Sequence, residues 1–266
     1  MENVPESSSK GTKRRRAESS DAGNTSSSSL ENDLTFTDTL IALRIMRAQF
    51  PQILNVSVEP FILKSQLYSS VKDRTQVDRE LECLRRDKVL RLFKLNTGQD
   101  DHAVMFLDDY LKQIDRVFKR MEGKTVAGFE VFEWFKTHVL DSKLETGIEH
   151  QELCSLLSLG GKVKDSHISL LINAGVLTRQ LIDPSMYWIA IPNIGSLLKG
   201  LVQGRKEIIS LLSRRQYKEM MLAVLEKKRL RMSPLDMRFH LRDLIGSGHL
   251  RSDQTPAGIV IRVSKD

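Results

Sequence analysis

The sequence predicts a mainly α-helical fold with small antiparallel β-wings, organised as three similar units in tandem. The main observation is a pattern that occurs three times: a short helix, a tight exit, a leucine and an apolar strand. Its copies are Leu171, Gly175 and Leu177; Leu244, Gly248 and Leu250; and, more loosely, Leu84, Lys88 and Leu90. Such self-similarity indicates one supersecondary unit used repeatedly. A helix followed by a β-wing is typical of winged-helix (helix-turn-helix) units.

The clearest copy also contains a helix-turn-helix pattern. A helix over Glu149–Ser158 is followed by a glycine-containing turn and a second helix, which begins with Asp165 as its predicted N-cap and ends before Gly175. A strand over Tyr187–Ile191 completes the predicted wing. This arrangement points the first turn of the second helix, with His167, toward a DNA groove. A bland surface role for His167 fits the sequence equally well.

The first unit, residues 33–107, follows from hydrophobic spacing and capping residues. Leu40 and Leu43 mark an apolar helix face, and Ile41, Ile45 and Met46 widen it. The predicted elements are a helix ending before Pro51, a second helix over 60–69, a third over 73–88 with Asp73 as N-cap, and strands over 89–95 and 103–107.

The second unit, residues 108–194, begins with a helix over 109–121 and continues with an aromatic helix over 131–140. We interpret the rings of Phe132, Trp134 and Phe135 as core residues. A base-stacking surface usually interleaves aromatic with basic residues, and this helix contains one lysine.

The third unit, residues 195–266, begins with a basic helical stretch over 195–228 that is softly interrupted at Gly200 and Gly204. The spacing leaves no room for a separate second helix. The elements predicted after the stretch are a strand or basic turn over 227–231, a helix capped by Ser233 with Pro234 first and Gly246 last, and a closing strand over 257–263.

The net charge of +7 is concentrated near the C-terminus. Residues 195–266 contain 15 Lys and Arg against 7 Asp and Glu. A local basic field favours a polyanionic partner, with nucleic acid first and an anionic membrane second. Phosphate binding is the favoured interpretation, and a solvated charged face is the alternative. The predicted DNA contacts are Lys162, Lys164, His167, Lys199, Arg205, Lys206, Arg214, Arg215, Lys218, Lys227, Lys228 and Arg229.

Residues 1–32 are predicted to form a disordered tail, because they contain almost no apolar side chains that could be buried. A basic cluster in this tail is typical of a nuclear localisation signal, with a solubilising charge cluster as the alternative. The cluster consists of Lys10, Lys13, Arg14, Arg15 and Arg16. No apolar run approaches the ~18 residues of a membrane span, and no secretion signal is recognisable, so the cytosol or the nucleus is expected. The basic cluster favours the nucleus.

Motifs of the common enzyme classes are missing from the sequence. No GxGxxG precedes a helix, and the lysine strand, catalytic loop and DFG of protein kinases are absent. Gly160–Gly161–Lys162 resembles part of a P-loop but has Val163 where a magnesium-binding Ser or Thr belongs. The 6 histidines lack zinc-ligand spacing. Cys83 and Cys154 lie among apolar residues and are interpreted as reduced core residues. No catalytic residue, metal or cofactor is therefore predicted.

Several stretches resemble the serine/threonine-protein kinase 19 family: Ser65–Tyr68 with Val71–Thr75, Asn173–Thr178, Gly204–Tyr217 and Asp243–Gly246. The similarity extends over residues 33–266. The family is understood as tandem winged-helix, DNA-binding nuclear proteins without a kinase fold, and the resemblance implies the same here. It also implies a role in transcription-coupled nucleotide excision repair. There the protein would bridge stalled RNA polymerase II and the Cockayne-syndrome ubiquitin-ligase complex to TFIIH.

The leading hypothesis is a non-enzymatic nuclear adaptor that binds duplex DNA through its phosphates. A winged-helix scaffold that binds only proteins is the alternative, and a protein kinase is a remote third. Sequence preference is expected to be slight, because the predicted contacts lack a base-reading set of Asn, Gln and Arg on one helix. The sequence leaves open the oligomeric state, the unit that faces DNA and the surfaces that hold each protein partner.

Overall fold

A computed structural model of the chain describes residues 37–53, 56–98, 101–122 and 128–264. Within these ranges the fold is mainly helical, with three antiparallel sheets of three short strands each. The predicted disordered tail and its localisation signal lie outside the described residues. No helix in the described part of the chain is long and apolar enough to cross a membrane.

Three segments share one order of elements: a helix, a short strand, two helices and a β-hairpin. Repeat 1 comprises α1 Asp38–Ala48, β1 Ile62–Leu63, α2 Lys64–Ser70, α3 Arg74–Arg86, β2 Leu90–Lys94 and β3 His102–Phe106. Helix α4, Leu107–Glu122, connects it to repeat 2. Repeat 2 comprises α5 Glu130–Trp134, a π-helical turn Phe135–Val139, α6 Leu140–Ser142, β4 Gly147–Glu149, α7 His150–Ser158, α8 Asp165–Ala174, β5 Leu177–Arg179 and β6 Met186–Ile189.

Repeat 3 has the same order. It comprises α9 Gly195–Ser213, β7 Glu219–Met221, α10 Leu222–Glu226, α11 Met237–Gly246, β8 Leu250–Thr255 and β9 Gly258–Val263. In every repeat the last strand is the central one, so the three sheets have the orders β1-β3-β2, β4-β6-β5 and β7-β9-β8. The short strand is the outer partner: Ile62 pairs with Val104, Ile148 with Tyr187, and Met220 with Ile261.

The exit from the third helix has the same backbone conformation in all three repeats. Lys88, Gly175 and Gly248 have φ angles of 55°, 78° and 85°. This left-handed conformation turns the chain from the helix into the hairpin, and glycine adopts it without steric strain. The predicted tight exits are therefore confirmed. The predicted N-cap of α3 is also confirmed, since the Asp73 carboxylate accepts the N–H groups of Thr75 at 2.9 Å and Gln76 at 3.2 Å.

The aromatic helix of repeat 2 is a core element, as predicted. Phe132 and Phe135 are fully buried. Trp134 is half-buried and covers the turn at Gly160 and Gly161, where any Cβ would overlap its ring. Packing against Trp134 therefore accounts for the glycine pair that resembles part of a P-loop.

Repeats 1 and 3 pack against each other through α2 and α11. The Gln66 side-chain amide donates to the Phe239 carbonyl at 2.9 Å, and the Ser65 hydroxyl donates to Asp243 at 2.6 Å. Gly246 lies so close to α2 that a Cβ would overlap the Ser65 carbonyl oxygen. This α2–α11 interface joins residues more than 170 positions apart in the chain.

The predicted helical stretch over 195–228 is wrong in two respects. Helix α9 continues through Gly200 and Gly204, because these glycines permit contact with Pro234 and His240 rather than interrupting the helix. The helix then ends at Ser213, and the short strand β7 and helix α10 follow. A second helix therefore exists in repeat 3, contrary to the prediction.

Three further predictions need correction. Helix α11 begins at Met237 with Asp236 as its N-cap, since the Asp236 carboxylate accepts the Phe239 N–H at 2.8 Å; Ser233 is not the cap. Cys83 is exposed and Cys154 only partly buried, so neither is a full core residue. Ile41 and Ile45 remain 41% and 47% exposed, because the core face of α1 consists of Thr39, Leu43 and Met46.

Candidate nucleic-acid interface

A cleft at the C-terminal end of α9 is lined mainly by cations. Its volume is about 660 Å³. Its charged lining consists of Arg214, Arg215, Lys228, Arg229, Arg231 and one carboxylate, Glu207. We call these six residues the basic cleft. Four of the five cations belong to the predicted DNA contacts. Arg231 was not predicted, although it continues the same basic run in the sequence.

Two segments of repeat 3 form the basic cleft. Arg214 and Arg215 follow the last residue of α9, and their N–H groups donate to the carbonyls of Ser210 at 3.2 Å and Leu212 at 2.9 Å. The other three cations lie on the loop 227–232, which follows α10. Cations beside a helix C-terminus offset the partial negative charge there. Their convergence on one concave surface also concentrates the positive field, which favours a polyanion.

Lys199 and Lys206 extend the positive surface along α9. Both are exposed, and they share one helix face because seven residues make about two turns. The same face continues to Ser210, which lines the basic cleft. Positive charge therefore follows α9 from near its start to its end.

The other predicted lysines are exposed but lie outside the lining of the basic cleft. Lys218 and Lys227 flank the segment of β7 and α10 in repeat 3. Lys162 and Lys164 lie just before α8 in repeat 2, where Lys164 is the N-cap in place of the predicted Asp165. Each of these four lysines is exposed to solvent at a position outside the lining of the basic cleft.

Arg205 is largely buried and forms ion pairs with two carboxylates of the fold. Its guanidinium donates to Asp243 at 2.6 Å and to Asp101 at 2.7 Å, and its side chain is only 17% exposed. Burial alone would lower the pKa of Arg205, but the hydrogen bonds and charges of Asp243 and Asp101 outweigh it and raise the pKa. Two carboxylates already neutralise this cation, so the prediction of Arg205 as a DNA contact is wrong.

His167 is also unavailable, because its side chain is 4% exposed. It packs edge-on against Trp134 and next to Gly128, and its Nδ1 lies 3.4 Å from the Lys164 N–H. Both interpretations of His167 from the sequence, a DNA contact and a surface role, are therefore wrong. His240 occupies the equivalent position in repeat 3, 73 residues later, and is fully buried next to Gly204. The 73 residues between His167 and His240 equal the spacing between repeats 2 and 3. This repeated position is the feature of the sequence that indicates a structural role for both histidines.

The third helices offer little positive charge to nucleic acid in repeats 2 and 3. Helix α8 exposes Asp165, Ser166, Ser169 and Asn173 and contains no Lys or Arg. Helix α11 contains Arg238 and Arg242. Its other face is buried at the α2–α11 interface and includes Phe239, Asp243 and Gly246. The basic cleft is therefore the strongest candidate interface in repeats 2 and 3.

Comparison with known proteins gives one family. The model of the family described as inactive serine-threonine protein kinase 19 matches residues 28–263. The chain is 31% identical over 208 residues to winged helix repair factor 1 of Homo sapiens, with 78% of both chains covered. It is 30% identical over 226 residues to winged helix repair factor 1 of Xenopus laevis, with 84% of this chain and 83% of that protein covered.

Proposed function

The chain belongs to the inactive serine-threonine protein kinase 19 family, and from this membership we propose that it is a non-enzymatic winged-helix protein that binds duplex DNA during DNA repair. Its relatives are named winged helix repair factors, which supports a role in DNA repair and, with it, a nuclear location. The family description, with the word inactive, supports the absence of kinase activity.

We assign the three repeats to three winged-helix units, with the boundaries 33–107, 108–194 and 195–266. The shared order of elements, the central last strand of each sheet and the left-handed exit from each third helix support this assignment. The helix that usually enters the groove carries no cation in repeat 2 and is partly covered in repeat 3. DNA binding in this protein therefore relies on phosphate contacts outside those helices.

The observation that carries the proposal is the basic cleft, where five cations surround one carboxylate. Phosphate contacts of this kind supply affinity without reading sequence. If all five cations engage phosphates, the logarithm of the affinity should fall with the logarithm of salt concentration at a slope of about −4 to −5. Little discrimination between duplex sequences is expected.

A pair of charge reversals tests this proposal. Arg214→Glu with Arg215→Glu should weaken binding to a fluorescein-labelled duplex at least about tenfold at low salt and reduce the slope by about two. The control is Lys119→Glu with Arg120→Glu on α4, which changes the net charge equally outside repeat 3 and should have a smaller effect. Equal losses in both variants would mean that net charge alone governs binding. No loss in the first variant would reject the basic cleft as the interface.

A more specific proposal is an adaptor in transcription-coupled nucleotide excision repair. In this role the protein binds DNA while it bridges the stalled RNA polymerase II complex, with its Cockayne-syndrome ubiquitin ligase, to TFIIH. The family resemblance supports this role, and the basic cluster at residues 10–16 supports nuclear import. Loss of TFIIH recruitment to stalled polymerase on removal of the protein, restored by the wild-type chain, is the expected result.

A second candidate function is a protein-binding scaffold that does not contact DNA. A groove of about 490 Å³ beside α1 favours it, because Ile41, Ala42, Ile45 and Val71 line this groove and the two isoleucines remain exposed. Leu181 and Ile182 are also fully exposed on the hairpin of repeat 2. Exposed apolar groups of this kind often mark contacts with proteins. The scaffold is the correct alternative if the wild-type protein does not bind duplex DNA at low salt.

A further inference from the structure

Glu207 is the one acidic residue in the lining of the basic cleft. It lies on α9, one helical turn before Ser210. An acidic group at this position repels phosphate, so Coulomb's law alone predicts that its removal tightens DNA binding. Its hydrogen bonds indicate the opposite role.

The Glu207 carboxylate holds the backbone of the loop 227–232. Both of its oxygens accept the Arg231 N–H at 3.1 Å, and one oxygen also accepts the Met232 N–H at 3.2 Å. Hydrogen bonds from backbone N–H groups to an ionised carboxylate are stronger than those between neutral groups. The carboxylate therefore joins the loop directly to α9.

The loop has few other attachments along its described residues. Lys228 donates its N–H to the Leu225 carbonyl at 2.9 Å at the start of the loop, and Leu230 packs partly against the core of repeat 3. Lys228, Arg229 and Arg231 of this loop line the basic cleft. The bonds to Glu207 fix the end of the loop, where Arg231 lies.

We propose that Glu207 is a positioning residue for DNA binding, because its carboxylate fixes the loop whose cations complete the basic cleft. This inference rests on the proposed function. Glu207 touches no phosphate itself. Glu207 increases the affinity for DNA because it holds the cations of the loop in place before DNA binds. The conformational entropy of these side chains is then lost on folding and not on binding. This increase in affinity exceeds the repulsion from a single carboxylate that is partly exposed to water.

Two alanine variants give effects of opposite sign. Glu207→Ala should weaken duplex binding about threefold to tenfold, as expected for the loss of one or two hydrogen bonds that order the loop. Glu226 is the matched control, since it is the last residue of α10, borders the same loop and pairs with Arg238 at 3.6 Å. Glu226→Ala removes the same charge, and binding should tighten slightly. If both variants tighten binding, Glu207 acts only as a repulsive charge and the inference is wrong.

Glu207→Gln separates position from charge. The amide keeps one oxygen that accepts an N–H but has no negative charge, so Glu207→Gln should bind DNA several-fold more tightly than Glu207→Ala. Equal affinities of the Gln and Ala variants would overturn the proposal. This variant also guards against a general loss of structure in Glu207→Ala, because its side chain has nearly the same size as the original.

Two further readouts report on the loop itself. Amide hydrogen exchange at Arg231 and Met232 should accelerate in Glu207→Ala and remain unchanged in Glu226→Ala. The salt slope of DNA binding should become shallower by about one to two in Glu207→Ala, because the loop cations no longer act together. Unchanged exchange and an unchanged slope would overturn the inference. A wild-type protein that does not bind DNA would instead reject the proposed function.

Discussion

The third helices of repeats 2 and 3, α8 and α11, occupy equivalent positions but lie in different surroundings. In α8 the residues Ser166, Ser169 and Asn173 face solvent, whereas Gly246 of α11 lies against the backbone of α2. The 73-residue spacing aligns Gly246 with Asn173, so one position is covered in repeat 3 and open in repeat 2. Identical connectivity therefore does not imply identical use of a helix.

This difference explains why DNA binding is proposed at the end of α9. The uncovered helix, α8, contains no cation, and the helix with cations, α11, uses its other face to hold repeat 1. Positive charge is instead gathered in the basic cleft by a helix end and a loop.

Gly246→Ala should destabilise the protein by about 3 kcal/mol or more, because the added methyl group overlaps the Ser65 carbonyl oxygen on α2. Asn173→Ala, at the equivalent exposed position, should change the free energy of unfolding by less than about 0.5 kcal/mol. Urea denaturation measures both. Gly195→Ala is a control for glycine replacement in a helix, since a Cβ there meets nothing within 4 Å. Similar small effects at Gly246 and Asn173 would mean that α11 is as free as α8.

Arg205→Met should destabilise the protein by about 3 kcal/mol, because it leaves the fully buried Asp243 carboxylate without its cation. Binding to duplex DNA by the folded variant should stay within about twofold of wild type, since Asp101 and Asp243 already neutralise this arginine. Urea denaturation and fluorescence anisotropy separate the two effects. A large loss of DNA affinity without a loss of stability would return Arg205 to the DNA interface.

Stability should depend on pH through His240. Burial lowers the pKa of His240 from 6.5 to about 4, despite the nearby Asp243. The unfolded chain therefore binds a proton at His240 near pH 6.5, whereas the His240 imidazole of the folded protein stays neutral down to about pH 4. This contribution to stability is complete above pH 6.5 and is lost as the pH falls toward 4, by roughly 2 to 3 kcal/mol.

Urea denaturation between pH 4 and 8 measures this dependence, and His240→Gln should flatten it over the same window. An NMR titration of the imidazole identifies the group directly. A His240 ring that titrates near its ordinary pKa in the folded protein would show that this part of α11 is as open to water as the surface of α8.

The smallest effect is expected at the leading edge of α8. Lys162→Ala with Lys164→Ala should weaken duplex binding about twofold to threefold, because these two exposed lysines lie apart from the basic cleft. Arg214→Ala with Arg215→Ala removes the same charge inside the basic cleft and should have a larger effect. Anisotropy at constant salt compares the two. A larger loss from the lysine pair would transfer the principal DNA surface to repeat 2.

Features that depend on neighbouring residues were predictable from the sequence. The repeated pattern, the turn at Gly175 and Gly248, and the Asp73 cap rest on spacing and on local backbone chemistry, and all three are present. The burial of Phe132 and Phe135 was predictable because their helix lacks the interleaved cations of a base-stacking surface. Most cations of the basic cleft were among the predicted DNA contacts. A local excess of Lys and Arg is visible in the sequence, and the exposure of such side chains does not depend on a specific partner from another segment.

The role of a residue that meets a distant segment depended on the tertiary structure. Arg205 is a cation in a basic stretch, which is typical of a phosphate contact. Its partner Asp101 lies 104 residues away in the sequence and contacts it only after repeats 1 and 3 pack together. His167, Gly200 and Gly204 were misinterpreted because their neighbours Trp134, Pro234 and His240 come from other elements. Local spacing encodes helices, caps and turns, whereas burial and ion pairing depend on long-range packing, and that packing decides which cations remain free to bind a partner.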